Sequence, residues 1–150
     1  MPPKFSLQPV LDYRHNRVEV LEVELGRLLQ TQKLGQTILE ALQDSRGRII
    51  NQLKDRQQGE IDLFLVSRLR SSLNNVNERI IQQEAYLVEL DYQVQEKRNE
   101  VISAKQDDEA LQTLKDREIE RYQAEQAQKE NRLQDDIYIS RAFRQLNNIV

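Results

Sequence analysis

The residues that could do chemistry in this chain are few, and their spacing argues against catalysis. His15 is the only histidine. No second histidine or acid cluster stands at helical spacing around it, so a seam or surface role suits it better than metal ligation. Two runs of adjacent carboxylates occur, Asp107-Asp108-Glu109 and Asp135-Asp136. Acid–base work needs two such groups in different environments within a cleft. Both runs lie in charged helical sequence and read as solvated faces. The four glycines are isolated, and no Gly-Lys-Ser/Thr is present to cradle a phosphate. With no cysteine there is neither a disulfide framework nor a thiolate metal site. The sequence therefore implies no enzyme activity, no cofactor and no metal.

Basic residues gather locally at Lys4, Arg14 and Arg17, at Arg46 and Arg48, at Arg68 and Arg70, and at Arg117 and Arg121. Each group sits among acids and lacks interleaved aromatics. The net charge is −3 and the isoelectric point near 5.3. That balance gives no bulk positive charge to displace counterions from phosphates, so no nucleic-acid partner is expected.

The elements that must carry these residues are helices. Charged residues make up 31% of the 150 and apolar residues 38%. Leu, Glu, Gln, Arg and Lys dominate, all straight-chain helix formers. Glycine and proline are scarce, leaving little of the chain for turns. Disorder is disfavoured because the net charge is small and the apolar residues are regularly spaced. The opening Met1-Pro2-Pro3-Lys4-Phe5-Ser6 has no apolar signal core. No stretch approaches the roughly 20 apolar residues of a membrane span. A cytoplasmic location without direct membrane insertion is the expectation.

A heptad repeat begins at Leu11. One seam position reads Leu11, Val18, Leu25, Gln32, Leu39, Arg46, Leu53. The other reads Arg14, Leu21, Leu28, Gly35, Leu42, Ile49, Arg56. Large apolar residues fill most of these positions, as in a coiled coil. Gln32 and Gly35 should loosen the middle of the helix. Gly59 follows where the repeat runs out and can take the left-handed conformation that ends a helix, with Asp62 as the next cap. A second repeat reads Val66, Leu73, Ile80, Leu87, Val94, Val101 and Leu69, Val76, Gln83, Leu90, Lys97, Ala104. It is expected to break at Asp107-Asp108-Glu109 and to resume out of phase at Leu111 and Leu114.

The pattern predicts an all-α fold, a long two-helix antiparallel coiled coil. A single domain over 1–150 is expected, with helix one at about 9–57, a turn at about 58–62 and helix two at about 63–147. Residues from about 110 onward would overhang without a partner in the same chain. Apolar and aromatic residues off the seam are the candidate partner contacts: Phe5, Tyr13, Phe64, Leu65, Tyr86, Tyr122 and Phe143. Phe64 and Leu65 would stand at the hairpin tip.

Two blocks carry a family resemblance. Phe5-Ser6-Leu7-Gln8-Pro9-Val10-Leu11-Asp12-Tyr13-Arg14 resembles the opening of the FliJ family of flagellar export proteins, with YscO of injectisomes a more distant relative. Ala104 to Arg117, ending Leu111-Gln112-Thr113-Leu114-Lys115-Asp116-Arg117, resembles that family's second block, and Tyr122, Glu125, Glu130 and Asp135-Asp136 continue the likeness. The family often has Asp-Glu where this chain has Asp135-Asp136. The resemblance implies a stalk-like accessory protein similar to the central stalk of rotary ATPases. Such a protein inserts its paired ends into the ring of a hexameric type III export ATPase and engages the cytoplasmic part of the export-gate membrane protein. Export chaperones would be further partners, and the location would be peripheral to the inner membrane. Both blocks fall at one end of the hairpin, which makes Arg14, Arg117 and Tyr122 candidates for ring contact. The alternative is a structural coiled-coil adaptor or chaperone, or a stalk on another hexameric ATPase such as a pilus motor.

Overall fold

A computed structural model describes residues 3–148. Met1 and Pro2, part of the stretch read above for a signal core, lie outside the described residues. Two helices account for nearly all of the rest: α1, Gln8–Arg56, and α2, Leu63–Asn148. They pack as the expected antiparallel hairpin.

Local chemistry sets the helix ends. The backbone N–H of Gln8 donates to the Phe5 carbonyl (3.0 Å) and that of Leu11 to Leu7 (2.9 Å). Pro9 falls in the first turn, where a missing N–H leaves no bond unmade. At the other end Lys54 and Arg56 occupy the last turn of α1, a favourable place for positive charge beside exposed carbonyls. Gly59 then adopts φ +95°, a conformation costly for any residue with a Cβ. Asp62 caps α2: its Oδ1 accepts the N–H of Phe64 (3.1 Å) and of Leu65 (3.3 Å). Those are the second and third donors of the helix, which have no partner within it.

By packing, the chain forms two compact units, Glu19–Ser103 and Met1–Val18 with Ala104–Val150. In the unit Glu19–Ser103 the buried large apolar residues are Leu21, Leu39, Val66, Ile80, Leu90, Val94 and Val101. All are seam positions of the two repeats. Fully burying a side chain of this size is worth about 1.5–3 kcal/mol. Leu25, Leu28, Leu42, Leu53, Leu69, Leu73 and Leu87 are half-buried, as expected where only two helices cover each other.

α1 runs unbroken through the polar interruptions of its seam, Gln32 and Gly35. Gln32 reaches Asp91 Oδ1 (3.4 Å). Gln83 Nε2 donates to the Gly35 carbonyl (3.0 Å). Lys97 stretches out of the seam to Glu24 Oε2 (2.9 Å) and Glu100 Oε2 (3.0 Å). These hydrogen bonds, to Glu24 first and then Glu100, raise the lysine above its usual pKa range. Gly35 itself is buried, and Leu87 fills the space beside it.

In the other unit Leu11 and Leu111 are buried. The second repeat does not break at Asp107-Asp108-Glu109. Asp108, half-buried, takes the seam position seven residues after Val101, and Leu111 follows seven after Ala104. Leu111 is therefore in phase, while Leu114 points outward and is exposed. A carboxylate is tolerated at the seam because it faces a polar layer. Arg14 Nη1 donates to the Asp107 carbonyl (2.9 Å), and His15 Nδ1 lies against Asp108 Oδ1. That oxygen is shielded from solvent and accepts no hydrogen bond among the described residues; the His15 ring is the polar group beside it.

Beyond Tyr122, α2 lacks a covering helix within its unit, and residues 127–148 are exposed throughout. The seam frame nevertheless persists. Counting in sevens from Val101 leads through Asp108, Lys115, Tyr122, Lys129 and Asp136 to Phe143, and counting from Ala104 leads to Ile139 and Leu146.

Candidate functional site

The sequence-predicted contact residues divide between the two units. Six of them, Phe5, Tyr13, Arg14, Arg117, Tyr122 and Phe143, belong to the unit that pairs Met1–Val18 with Ala104–Val150. The lead-in before α1 and the turn of α2 across from it enclose a groove of about 810 Å³. Phe5 and Pro9 line one side and Ile119 and Tyr122 the other, with Lys4, Asp12, Lys115 and Glu118 around them. The lead-in reaches this place because Pro9 starts the helix there and the Gln8–Phe5 bond folds the preceding residues back. The two blocks singled out in the sequence thus meet across one seam. Phe5 and Tyr122 share the groove. Arg14 turns inward to hold the Asp107 carbonyl, while Tyr13 and Arg117 stand outward and exposed.

Phe64 and Leu65 belong to the unit Glu19–Ser103, at the start of α2. They are not equivalent. Phe64 is exposed, whereas Leu65 is half-buried beside Val66. The guanidinium of Arg68 lies 6.0 Å from the centre of the Phe64 ring, within the range of a cation–π contact.

Sequence reasoning passed over one surface. Ile81, Val88, Tyr92 and Ile102 are all exposed on α2, with Ala85 between them. Ile81, Ala85, Val88 and Tyr92 step by four, three and four, so they form a continuous stripe on the side of α2 away from the seam. The seven-residue spacing of Ile81 and Val88 was a visible signal, but the stronger seam repeat masks it. On α1, Val20, Val23, Leu34 and Ile38 are also exposed apolar residues of this unit.

Among the described residues no group of three or more acids or histidines could hold a metal ion, and no helix is long and apolar enough to cross a membrane. A family model described as flagellar FliJ protein matches residues 3–147. No curated protein and no solved structure matches the chain.

Proposed function

Since the chain belongs to the flagellar FliJ protein family, a family of export-associated coiled-coil proteins, we propose that it is a non-enzymatic, stalk-like accessory factor of flagellar-type protein export. It binds a hexameric export ATPase through the unit that carries the chain ends, and it engages the cytoplasmic part of the export gate. One observation carries the ATPase contact. The unit brings Phe5 and Tyr122 into a single apolar groove bounded by Lys4, Asp12, Lys115 and Glu118. An apolar centre with a polar rim is the usual anatomy of a protein-binding patch.

A second partner needs a second surface. The outer stripe of Ile81, Ala85, Val88 and Tyr92 is exposed and contiguous, and surface apolar residues gathered in this way mark partner sites more often than scattered ones do. We assign the gate contact to it. The exposed end of α2, with Ile139, Phe143 and Leu146 in the seam frame, supplies further contact area for a helix of the ATPase ring.

The test is capture of the tagged protein from its own source, with partners identified by mass spectrometry. A stoichiometric hexameric ATPase or an export-gate subunit supports the reading, and stimulation of ATP hydrolysis by the purified protein then follows as its functional measure. Cytoskeletal, envelope or self-only partners would assign the fold to a structural adaptor instead.

A further inference from the structure

Three apolar side chains stand exposed where the chain reverses: Ile61 at 55%, Leu63 at 79% and Phe64 at 72% of their full accessibility. Nothing in the hairpin requires them there. The cap of α2 needs only Asp62, and the turn needs only Gly59. The Leu-Phe pair and the isoleucine beside it are not part of the buried seam.

The charge around them is equally uneven. Between residues 45 and 72 there are six basic residues, Arg46, Arg48, Lys54, Arg56, Arg68 and Arg70, against three acids, in a chain whose net charge is −3. One of the three acids, Asp62, accepts two backbone N–H groups at a helix N-terminus, where the helix dipole offsets its charge. The basic residues nearest the tip are set back from it on both helices. Lys54 and Arg56 lie in the last turn of α1. Arg68 lies one turn beyond Phe64, about 6 Å further along α2, with its guanidinium over the Phe64 ring.

We propose that this tip docks on the surface of an anionic lipid bilayer. Ile61, Leu63 and Phe64 enter the interface between headgroups and acyl chains, and the basic residues nearest the tip, Lys54, Arg56, Arg68 and Arg70, meet the lipid phosphates. The dimensions agree. Interfacial elements bury their apolar side about 5–10 Å deep, and the basic residues of α2 begin about that far behind Phe64. A cation folded over an aromatic ring presents an apolar body with a charged head, the arrangement that amphipathic side chains adopt at membrane surfaces. A basic collar on both helices matches an extended sheet of negative charge. A single acidic pocket on a protein would call for fewer basic residues, on one side only. No segment crosses the membrane in this arrangement. Glu60, exposed within the tip, opposes the contact and tunes it to be reversible. The inference goes beyond the proposed export function and does not depend on either protein partner.

The experiment is flotation of the purified full chain with vesicles of phosphatidylcholine alone or with phosphatidylglycerol added. Wild type should float with the anionic vesicles and stay behind with the neutral ones, and salt should weaken the binding. Replacing Leu63 and Phe64 together by serine should abolish flotation, as should Arg68→Glu with Arg70→Glu. Glu60→Gln should strengthen it by about fivefold, the value of one charge near such a surface. Helicity by circular dichroism should be unchanged for L63S/F64S, because both side chains are exposed. Absence of wild-type binding at any anionic content overturns the proposal. So does binding that survives L63S/F64S, since it would be charge attraction without the apolar tip. Loss of gate or ATPase capture by the same variant, with no vesicle binding by wild type, would assign the tip to a protein and overturn it too. None of these results bears on ATPase capture by the wild-type chain.

Discussion

Leu87 occupies the space that a side chain on Gly35 would need. A Cβ placed on Gly35 would lie 2.8 Å from Leu87 Cδ2 and 3.3 Å from Gln83 Nε2. The glycine that looked like a weak point of the first helix is the hole into which a residue of the second one fits. Its carbonyl also holds Gln83.

Two classes of glycine substitution should therefore move in opposite directions. Gly35→Leu restores the residue that the heptad pattern demands, yet it should destabilise the protein by about 1–3 kcal/mol through overpacking. Gly26→Ala and Gly47→Ala meet nothing within 4 Å and should each stabilise by about 0.5–1 kcal/mol through helix propensity. Urea denaturation of the three variants measures both effects. A stabilising G35L would remove the close approach from the account.

Lys97 gives a dependence on alkaline pH. Its pKa is raised by hydrogen bonds to Glu24 and then Glu100. A raised lysine stabilises the fold while protonated in both states, and that contribution disappears as pH rises through the folded value. The difference in unfolding free energy between wild type and Glu24→Gln from urea denaturation, about 0.2–1 kcal/mol at neutral pH for a pair this exposed, should shrink towards zero above the usual lysine range. A difference that stays constant with pH would show the ion pair to be irrelevant.

The contact proposed for the export ATPase predicts different consequences for two arginines. Arg117→Glu alters an exposed side chain and should lower ring affinity while leaving thermal unfolding unchanged. Arg14→Glu also removes the bond to the Asp107 carbonyl and should lower both. The double reversal should weaken binding most. Unchanged affinity of the double variant in a pull-down with purified ATPase would strike both residues from the contact.

The exposed end of α2 should be dispensable for the hairpin and necessary for partners. Truncation after residue 126 removes no buried side chain, so the urea midpoint should shift by less than about 0.5 kcal/mol equivalent. Backbone amides from 127 onward should exchange fast in the free protein and slow in the presence of the ATPase. Protection of that segment in the isolated protein would mean that it already has a partner, such as a second copy.

Legibility in the sequence followed the strength of the pattern. Residues such as Leu21, Val94 and Val101 recur in sevens and are buried as read. Gly59 and Asp62 were readable because each has a local chemical reason, a left-handed backbone and a side-chain cap. The phase of Leu111 was misread because three acids in a row resemble a break. Only the packing shows that Asp108 can stand in the seam against His15. Ile81 and Val88 repeat as regularly as the seam does, but a one-dimensional repeat does not say which of two stripes faces inward. The sequence pattern alone places Phe64 and Leu65 together at the tip. One step around the helix turns Leu65 inward and leaves Leu63 as the more exposed neighbour.

The polar contacts along the seam of the unit Glu19–Ser103 have a mechanical consequence. Gln32 with Asp91, Gly35 with Leu87 and Gln83, and Lys97 with Glu24 are each specific to one alignment of the helices. A smooth leucine seam could creep by one heptad, about 10 Å, and find leucine again. Here a slip of seven residues would undo every one of these contacts at once, so this hairpin resists shear and can carry a twist or a thrust from one helix to the other without losing its place.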